Sequence, residues 1–376
     1  MKIVLTGAGG GHFYPLIAVA ERIRQEVLQQ KIIDAEMYFF SDQIYDETTL
    51  KENNISFIKI PAGKITVYFS FQNFLSPILA LMGFLISLVR LFIIYPDLVF
   101  AKGGYSSFPV ILAAKCLFIP VFIHESDSVP GRTTKLMGHF AQRIAVSYAA
   151  AVKYFDITKI AHTGQPIMKK YLPTAKLLEE KLERQKEYAK ENIRRNILIL
   201  GGSQGAEKIN NLILENLPTL LEKYNVIHQV GQNNLSKIKI ASEVILKDNI
   251  QKENYHYFAF DNLAKYYLQS DLCITRAGST LFELSAWGIP SIIIPIAQSN
   301  GDHQRQNAFL FAGVGCSVII EEINFTSNIL LNNIDLIFSD QKKYIEMQNN
   351  NLKSFKAGAA EIIAKEIVKI GLSHNS

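Results

Sequence analysis

The sequence predicts an α/β protein with two tandem Rossmann-like domains, each built on a parallel sheet, that face each other across a cleft. Three observations lead to this fold class. The chain has 376 residues, more than one hydrophobic core usually supports. Short apolar strands alternate with helical segments, as in the crossover units of a parallel sheet. A strand, a glycine-rich turn and a helix also follow one another twice, about two hundred residues apart.

The first glycine-rich turn follows the apolar strand predicted at 2–6. It contains Gly9, Gly10 and Gly11 and leads directly into a helical pattern. Backbone N–H groups in such a turn can reach a phosphate without obstruction by side chains. His12 occupies the position at which a further glycine would complete the dinucleotide fingerprint, so the turn alone also fits a simple tight turn. Glu36 lies in the next strand, at the distance where an acidic residue binds the ribose of a nicotinamide dinucleotide, so such a binding site is an alternative interpretation.

His12 itself lies at the start of the predicted first helix, where a ligand at the carboxyl edge of the sheet would bind. The positive end of a helix favours the neutral imidazole, which is the form that a general base requires. A helix-capping or phosphate-binding histidine is an equally good interpretation.

Six further strands are predicted in the first half, where short apolar runs alternate with helical patterns. They cover 37–40, 56–60, 98–101, 121–124, 144–147 and 159–163. A segment dense in both charges follows Pro166 and predicts a solvated helix or a linker, where we place the domain junction. The second half repeats the alternation with strands from 196 and at 226–230, 255–260, 271–275 and 291–295. Apolar residues at helical spacing from 353 to 370 predict a closing helix.

One segment, 74–95, is almost continuously apolar. A membrane-spanning helix needs roughly 20 apolar residues, and this run contains Pro77 and Arg90. A buried helix, a true span and an exposed apolar surface that dips into a bilayer all fit the pattern. We favour the exposed surface because the residues considered below indicate a lipid substrate, and nearby basic residues can meet anionic head groups. These are Lys64, Arg90, Lys102, Lys115, Arg132 and Lys135.

The composition narrows the function classes. The formal net charge of +5 is too small to indicate nucleic-acid binding but suits phosphorylated ligands or an anionic membrane surface. Cys116, Cys273 and Cys316 have neither metal-ligand spacing nor the pattern of a disulfide framework, which indicates a reducing compartment. The first residues predict a strand instead of the apolar helix of a signal peptide.

A second polar region begins after the strand predicted at 271–275. Ser279, Thr280 and Leu281 open a helix, so their backbone N–H groups lie at its positive end. The carboxylate of Glu283 can accept hydrogen bonds from two vicinal hydroxyls, or it can serve only as a helix-capping group. Residues 302–308 form another polar cluster at a helix start, rich in amides that suit sugar hydroxyls.

Taken in order, these motifs resemble the MurG family of peptidoglycan N-acetylglucosaminyltransferases over nearly the whole chain. The matching segments are the glycine turn with His12, 103–105, 124–127 with 130–131, 163–166, 201–206, 276–278 with Glu283, and 303–304 with 307–308. The resemblance implies the GT-B fold and transfer of N-acetylglucosamine from UDP-N-acetylglucosamine to undecaprenyl-diphosphate-linked N-acetylmuramyl-pentapeptide. It further implies a peripheral enzyme on the cytoplasmic face of the cell membrane.

The resemblance also assigns residues to the donor. Ser203 would contact the donor diphosphate and Phe260 would lie beside the uracil. Glu283 would hold the ribose, Gln304 would bind the sugar hydroxyls, and backbone donors would come from Ser279, Thr280 and Leu281.

On the acceptor side, the resemblance places Gly9, Gly10 and Gly11 near the diphosphates and makes His12 the candidate that activates the acceptor hydroxyl. Residues 1–165 would form the lipid-acceptor and membrane-facing domain and 166–350 the UDP-sugar donor domain. Residues 351–376 would form a helix that packs back toward the first domain.

Several positions depart from the family pattern. Ser126 and Asp127 stand where glutamine and asparagine are common, which makes Asp127 a rival base. Met168 stands where an arginine usually reaches the donor diphosphate, and whether Lys169 or Lys170 replaces it stays open.

The proposed chemistry is an inverting transfer in which backbone amides and helix dipoles stabilise the leaving diphosphate. The chain contains no Asp-x-Asp motif, so we expect neither a metal nor a cofactor. Three alternatives stay open: a diacylglycerol glycosyltransferase, a UDP-sugar epimerase, and a catalytically silent sugar-nucleotide-binding subunit.

Overall fold

The computed structural model describes residues 1–30, 34–63, 72–187, 193–202, 205–297 and 300–374. They form two compact units. Unit 1 contains Met1–Lys169 together with Lys356–Ser376, and unit 2 contains Lys170–Phe355. The assignment of functions to the ranges 1–165, 166–350 and 351–376 stays a prediction.

Unit 1 is built on a parallel sheet of seven strands in the order β3-β2-β1-β4-β5-β6-β7. The strands are β1 (Lys2–Thr6), β2 (Glu36–Ser41), β3 (Ile55–Lys59), β4 (Leu98–Ala101), β5 (Val121–Glu125), β6 (Arg143–Val146) and β7 (Ile160–His162). In the register of the central strands, Val4 of β1 lies between Tyr38 of β2 and Val99 of β4. The central strands are buried on both faces, which explains why they are continuously apolar.

Helices cover the sheet of unit 1. They are α1 (Gly10–Gln29), α2 (Glu47–Glu52), α3 (Gln72–Ile94), α4 (Ser107–Cys116) and α5 (Arg132–Gly138). Val110, Ile111 and Ala114 of α4 pack in the core with Val99 and Ile123 of the sheet.

The long apolar helix α3 is mostly exposed. Its inner face packs on α4 through buried Gly83, Ser87 and Leu91. A Cβ at Gly83 would overlap the carbonyl oxygen of Pro61, so only glycine allows this close approach. The outer face carries apolar side chains that are each more than half exposed, namely Ile78, Leu81, Leu85, Val89 and Phe92. The interpretation of 74–95 as a buried helix is therefore wrong.

By length and composition alone, α3 is the one helix among the described residues that could cross a membrane. It connects β3 to β4, however, and both strands belong to the same sheet. Because α3 also packs along α4, it lies on the flank of a folded domain. This arrangement favours an exposed apolar surface over a span.

Unit 2 repeats the design with six parallel strands in the order β10-β9-β8-β11-β12-β13. They are β8 (Arg195–Leu200), β9 (Tyr224–Gln229), β10 (Tyr255–Phe258), β11 (Leu272–Thr275), β12 (Ser291–Ile293) and β13 (Ser317–Ile319). The two parallel-sheet units confirm the predicted fold class, and β13 is an additional strand that the sequence pattern did not reveal.

The helices of unit 2 include the charged segment after Pro166. They are α6 (Ala175–Glu187), α7 (Glu207–Lys223), α8 (Leu235–Ile245), α9 (Ala264–Gln269), α10 (Thr280–Ala286), α11 (His303–Gly313), α12 (Ser327–Ser339) and α13 (Gln341–Ser354). In α6, Lys181 is buried and its Nζ donates to the carbonyls of Tyr267 (2.7 Å) and Ser270. The interpretation of the segment 175–187 as a linker is therefore wrong, because α6 packs against the rest of unit 2.

The end of the chain returns to unit 1 as α14 (Ala359–His374). This helix packs on α1, where Arg22 and Glu361 form an ion pair of 2.8 Å. The closing helix predicted at 353–370 is confirmed from Ala359 onward, but its predicted start is too early, because α13 ends at Ser354 and Gly358, with a φ of 79°, interrupts the helical backbone before α14.

The second glycine turn offers a matched pair for a stability test. Gly202 and Gly205 both adopt a left-handed backbone, with φ of 79° and 78°. A Cβ at Gly202 meets nothing within 4 Å, whereas a Cβ at Gly205 would overlap the Val230 carbonyl and the Asn234 side chain. We expect Gly202→Ala to cost about 1 kcal/mol from backbone strain and Gly205→Ala about 1–3 kcal/mol more from overpacking. Thermal unfolding of both variants measures this, and equal melting temperatures would contradict it.

Candidate functional site

Both glycine turns lie at the same topological position. β1 and β8 are central strands from which the strand order runs outward in both directions, and each turn follows one of them. At such switch points the loops diverge and leave a crevice at the carboxyl edge of the sheet, where open α/β sheets bind ligands. Each unit therefore carries one candidate crevice at its own switch point.

In unit 1 the turn leaves its backbone accessible. Gly9 has a φ of 79°, and a Cβ at Gly9 or Gly11 would meet nothing within 4 Å. Gly10 begins α1. The first N–H groups of any α-helix have no acceptor within the helix. Gly9, Gly10 and Gly11 thus present an unobstructed helix N-terminus suited to an anion.

His12 is held in one orientation by a contact outside its own helix. Its Nδ1 lies 2.7 Å from the backbone carbonyl oxygen of Lys102, which directly follows β4. A carbonyl oxygen only accepts hydrogen bonds, so Nδ1 carries the proton. In the neutral ring Nε2 then carries the lone pair, which is the arrangement that a general base needs.

Behind His12 lies a buried polar cluster formed by Lys102, His124, Glu125 and Ser126. Lys102 Nζ lies 3.0 Å from His124 Nδ1 and also contacts Ser126 Oγ. His124 Nε2 donates to the carbonyl of Gly164 (3.2 Å), so its Nδ1 is the acceptor for Lys102. Burial, together with the charge of Lys102, lowers the pKa of His124 well below its ordinary value. His124 is therefore neutral and structural.

Asp127 belongs to the loop that follows β5 and borders the same cluster. Its backbone N–H donates to Glu125 Oε1 (2.8 Å). Burial and the charge of Asp127 raise the pKa of Glu125. The charges of Glu125 and Asp127 both act on Lys102, the residue whose carbonyl holds His12. The structure thus brings His12 and Asp127 to one edge of the unit 1 sheet.

The segment after β7 contributes Gln165. Its Oε1 accepts from Ser126 Oγ (2.9 Å) and Ser147 Oγ (2.7 Å). Its Nε2 is buried and has no hydrogen-bond partner within the described part of the chain. Met168 is buried, whereas Lys169 and Lys170 are exposed.

In unit 2 the best-defined candidate is Glu283 on α10. Tyr267 of α9 donates its hydroxyl hydrogen to Glu283 Oε2 over 2.6 Å. Burial raises the pKa of Glu283 to about 7, although this hydrogen bond works in the opposite direction. Glu283 is therefore an oriented carboxylate close to its protonation midpoint at neutral pH.

Around the start of α10, Ser279 and Thr280 are half-buried. The N–H of Leu281 donates to the carbonyl of Gly278 (3.3 Å) and its side chain is buried. The turn itself thus uses this backbone donor, and Ser279 and Thr280 are the better candidates.

Three other candidates lie on separate segments of unit 2. Phe260 follows β10 and is 47% exposed, which leaves an aromatic face accessible. Gln304, near the start of α11, accepts from the backbone N–H of Ile296 (3.2 Å). Ser203 lies outside the described residues.

Arg276 follows β11 and is held by two contacts. It pairs with Glu322 at 2.7 Å and donates to the carbonyl of Ile294 at 3.0 Å. Although burial opposes the effect, Arg276 and Lys208 lower the pKa of Glu322. Arg276 thus has a fixed position beside the turn.

Some expectations of the sequence fail at this level. Lys102 was counted among the cations that meet lipid head groups, but it is only 2% exposed and belongs to the cluster behind His12. Lys64 lies outside the described residues. No group of three or more His, Cys, Asp or Glu residues within the described ranges could hold a metal ion. Independence from metal and cofactor stays a prediction.

Two neighbours of the candidate residues, Lys102 and Tyr267, were not assigned to either candidate site from the sequence. Lys102 directly precedes the two glycines of 103–105, so its place after β4 was a usable signal. Tyr267 lies in an aromatic helix with no motif around it, so only the fold reveals its contact with Glu283.

A cavity of about 790 Å³ in unit 1 lies elsewhere. It is lined by Pro120, Arg143 and Lys159, at the amino ends of β5, β6 and β7, and by His374 of α14. Because the glycine turn is at the carboxyl edge of the same sheet, this cavity is separate from the candidate site.

Comparison with known sequences places the chain among glycosyltransferases. Residues 3–146 match the glycosyltransferase family 28 N-terminal domain, and residues 196–363 match the C-terminal domain of that family. The UDP-N-acetylglucosamine–N-acetylmuramyl-(pentapeptide) pyrophosphoryl-undecaprenol N-acetylglucosamine transferase 2 of Bacillus anthracis is 31% identical, and the match covers 100% of this chain and 99% of that protein. The corresponding transferase of Clostridium novyi is 32% identical over 93% of this chain and 94% of its own length.

Solved structures show the same architecture. MurG from Acinetobacter baumannii matches with a TM-score of 0.71 at 23% identity, covering 98% of this chain and 99% of that one. A UDP-GlcNAc 2-epimerase from Neisseria meningitidis, bound to UDP-GlcNAc, matches with a TM-score of 0.67 at 15% identity, covering 98% and 100%. At such identities the likeness establishes the GT-B fold and nothing finer.

The contact between Tyr267 and Glu283 yields a direct test. Tyr267→Phe removes only the hydroxyl that stabilises the ionised carboxylate, so we expect the pKa of Glu283 to rise above about 7. A pH titration of ¹³C-carboxyl-labelled glutamate by NMR measures it. Tyr224→Phe, whose hydroxyl donates to Asp335 (2.8 Å), is the matched control and should leave Glu283 unchanged. A lower or unchanged value in Tyr267→Phe would contradict the assignment.

Proposed function

We propose that this chain, which belongs to glycosyltransferase family 28 and within it to the MurG transferases, transfers N-acetylglucosamine from UDP-N-acetylglucosamine to undecaprenyl-diphosphate-linked N-acetylmuramyl-pentapeptide. The observation that carries the proposal is the full-length match at 31% identity to a transferase of that name. The match includes the polar turns at the switch points of both sheets. The reaction is a step of peptidoglycan synthesis.

We assign the donor to unit 2. Glu283 offers an oriented carboxylate to the two ribose hydroxyls, and exposed Phe260 offers a stacking face to the uracil. Ser279 and Thr280 at the start of α10, with Ser203, are assigned to the diphosphate, and Gln304 to the sugar hydroxyls. Met168 cannot pair with a phosphate, and exposed Lys169 and Lys170 are its candidate replacements.

We assign the acceptor to unit 1, with His12 as the general base. In the transfer, the acceptor hydroxyl oxygen forms a bond to the anomeric carbon while the bond from that carbon to the diphosphate oxygen breaks. The hydroxyl proton passes to Nε2 of His12, which is the unprotonated nitrogen of the neutral ring because Nδ1 donates to the carbonyl of Lys102. Attack from the face opposite the departing diphosphate inverts the anomeric configuration.

In this assignment Gly9, Gly10 and Gly11 stabilise diphosphate charge through backbone N–H groups and the positive end of α1. Asp127 is the second candidate base, favoured by its position beside Lys102 at the same sheet edge. If His12 is the base, Asp127 binds the acceptor as a hydrogen-bond acceptor.

The alternative activities are less well supported. Several solved neighbours are named as UDP-GlcNAc 2-epimerases, but their identity to this chain is 15%, which supports only the shared fold. The named transferases match at more than twice that identity over the full length. A diacylglycerol transferase would not use a polyprenyl-diphosphate acceptor. A silent subunit would bind the sugar nucleotide without turnover.

We further propose that the enzyme is peripheral on the cytoplasmic face of the membrane and docks through α3. Ile78, Leu81, Leu85 and Phe92 would enter the interface, where removal of apolar area from water provides the binding energy. The exposed cations Arg90, Lys115 and Arg132 would meet anionic head groups. Lys102 is excluded from this role by burial.

The central test is transfer of labelled N-acetylglucosamine from its UDP ester to a short-chain lipid-linked muramyl-peptide. We expect wild-type transfer without added metal, and a loss of about 10²–10⁴-fold in His12→Ala because the general base is removed. His139→Ala, at an exposed histidine of the same unit, is the control. No transfer by the wild type, or transfer only to diacylglycerol, would overturn the proposed function. A greater loss in Asp127→Ala than in His12→Ala would reassign the base to Asp127.

Membrane docking has its own test by co-sedimentation with vesicles of phosphatidylglycerol and phosphatidylcholine. Leu81→Glu combined with Leu85→Glu places charge on the exposed face of α3, so we expect the partition coefficient to fall by at least about tenfold. Val244→Glu, at an apolar residue of α8 that is 72% exposed, is the matched control. Unchanged binding by the α3 variant would reject this helix as the docking surface.

A further inference from the structure

The C-terminal end of α9 is capped by side chains of another helix, α6. The last carbonyl groups of an α-helix have no donor within the helix. Lys181 Nζ donates to the carbonyls of Tyr267 (2.7 Å) and Ser270. Arg184, one turn further along α6, donates to the carbonyl of Gln269 between them (2.6 Å). Two side chains of α6 therefore hold three carbonyls at the end of α9.

Lys181 is a buried anchor. Lysine is almost never fully buried unless its head group is paired, and here the partners are the carbonyls of α9. Burial lowers the pKa of Lys181 to about 7, against the opposing charge of Asp271. Both the ammonium group and the neutral amine carry N–H donors, so either form can bind the carbonyls. Because the group is buried, water has no access to replace it if the donor is removed.

The carbonyl that Lys181 holds belongs to the residue that orients Glu283. Tyr267 accepts from Lys181 through its main chain and donates through its hydroxyl to Glu283 Oε2 (2.6 Å). Its ring is buried, so packing fixes the path from carbonyl to hydroxyl. A shift in the main chain of Tyr267 therefore moves the hydroxyl away from the carboxylate.

The helix that carries Glu283 is tied to the same stretch of chain. Trp287 directly follows α10, and its backbone N–H donates to the carbonyl of Glu283 (3.2 Å). Its indole Nε1 donates to the carbonyl of Tyr171, which precedes α6 (2.7 Å). Both members of the Tyr267–Glu283 pair are thus held by residues 171–184, one through α9 and the other through α10.

We propose that residues 171–184 form a positioning segment for the donor site, with Lys181 as its main anchor. By holding α9 and α10, the segment keeps the Tyr267 hydroxyl on the carboxylate of Glu283. The inference rests on the proposed function, which assigns that carboxylate to the ribose. Neither Lys181 nor Tyr171 is assigned to the nucleotide, so the segment acts on the donor through Glu283.

The test uses Lys181→Met, which keeps an unbranched side chain of similar length and removes the donor. We expect the pKa of Glu283, followed by NMR of ¹³C-carboxyl-labelled glutamate, to rise as in Tyr267→Phe because the hydroxyl no longer stabilises the ionised carboxylate. In the transfer assay we expect the KM for UDP-N-acetylglucosamine to rise at least about threefold and kcat to change by less than about twofold, since the ribose contact is the same before and during the reaction.

Arg194→Met is the matched control. Arg194 donates to the carbonyl of Leu221 in the last turn of α7, so it also caps a helix of unit 2, but this helix carries neither Tyr267 nor Glu283. We expect the control to leave the Glu283 titration and the KM unchanged even where it lowers the melting temperature.

A double variant tests whether the effect passes through Tyr267. Once Tyr267→Phe has removed the hydroxyl, Lys181→Met should raise the pKa of Glu283 no further, because the two changes act on one contact. A further rise as large as that of Lys181→Met alone would overturn the proposed route.

Two other outcomes bear on the proposal. A folded Lys181→Met with the wild-type Glu283 titration and KM would overturn the positioning role, whatever its melting temperature. If Lys181→Met does not fold, Arg184→Met replaces it. Its side chain is partly exposed, and an unchanged titration and KM there would overturn the role equally.

The proposed function stands or falls separately. If the wild type transfers no sugar but the pKa of Glu283 rises in Lys181→Met, the proposed function fails and the link from Lys181 to Glu283 is retained.

Discussion

Both candidate sites depend on the parallel order of the strands. In a parallel sheet every strand ends at the same edge, so residues that follow different strands meet there although they are far apart in the sequence. His12, Lys102 and the segment of Glu125 to Asp127 follow or end β1, β4 and β5, which are neighbours in the sheet. The hydrogen bond from His12 to Lys102 crosses the switch point itself. The site in unit 1 therefore follows from strand order, and the glycine turn supplies only one of its walls.

The strands were the predictable part of the fold because they are buried on both faces and read as continuous apolar runs. β4, for example, lies at 98–101 as expected, whereas β13 was not predicted, although β7 and β12, which also have three residues, were. The interpretation of the charged segment as a linker is wrong over Ala175–Glu187, because Lys181 donates to backbone carbonyls in and directly after α9. Composition cannot reveal such a contact, since its partners are set by tertiary structure.

The same limit applies to the sites. Gly9, His12 and Glu283 were found because turns and helix starts leave local signatures in the sequence. The partner of Glu283 was not found, because Tyr267 is one aromatic residue among several and its hydroxyl is meaningful only once α9 and α10 are placed. Lys102 was predicted in the wrong environment, since a lysine near an apolar run suggests a membrane surface until its burial is known.

The fold does not by itself decide between a transferase and an epimerase, because both kinds of protein share it with this chain. A sugar-nucleotide site is common to both activities, so unit 2 cannot discriminate between them. The discriminating features lie in unit 1. An exposed apolar helix suits a second substrate that is held at a membrane, and in our proposal His12 of the same unit deprotonates a hydroxyl of that substrate. Since α3 and His12 occur together in unit 1, a lipid-linked acceptor accounts for both features, whereas an epimerase would need neither the apolar surface nor an acceptor-activating base.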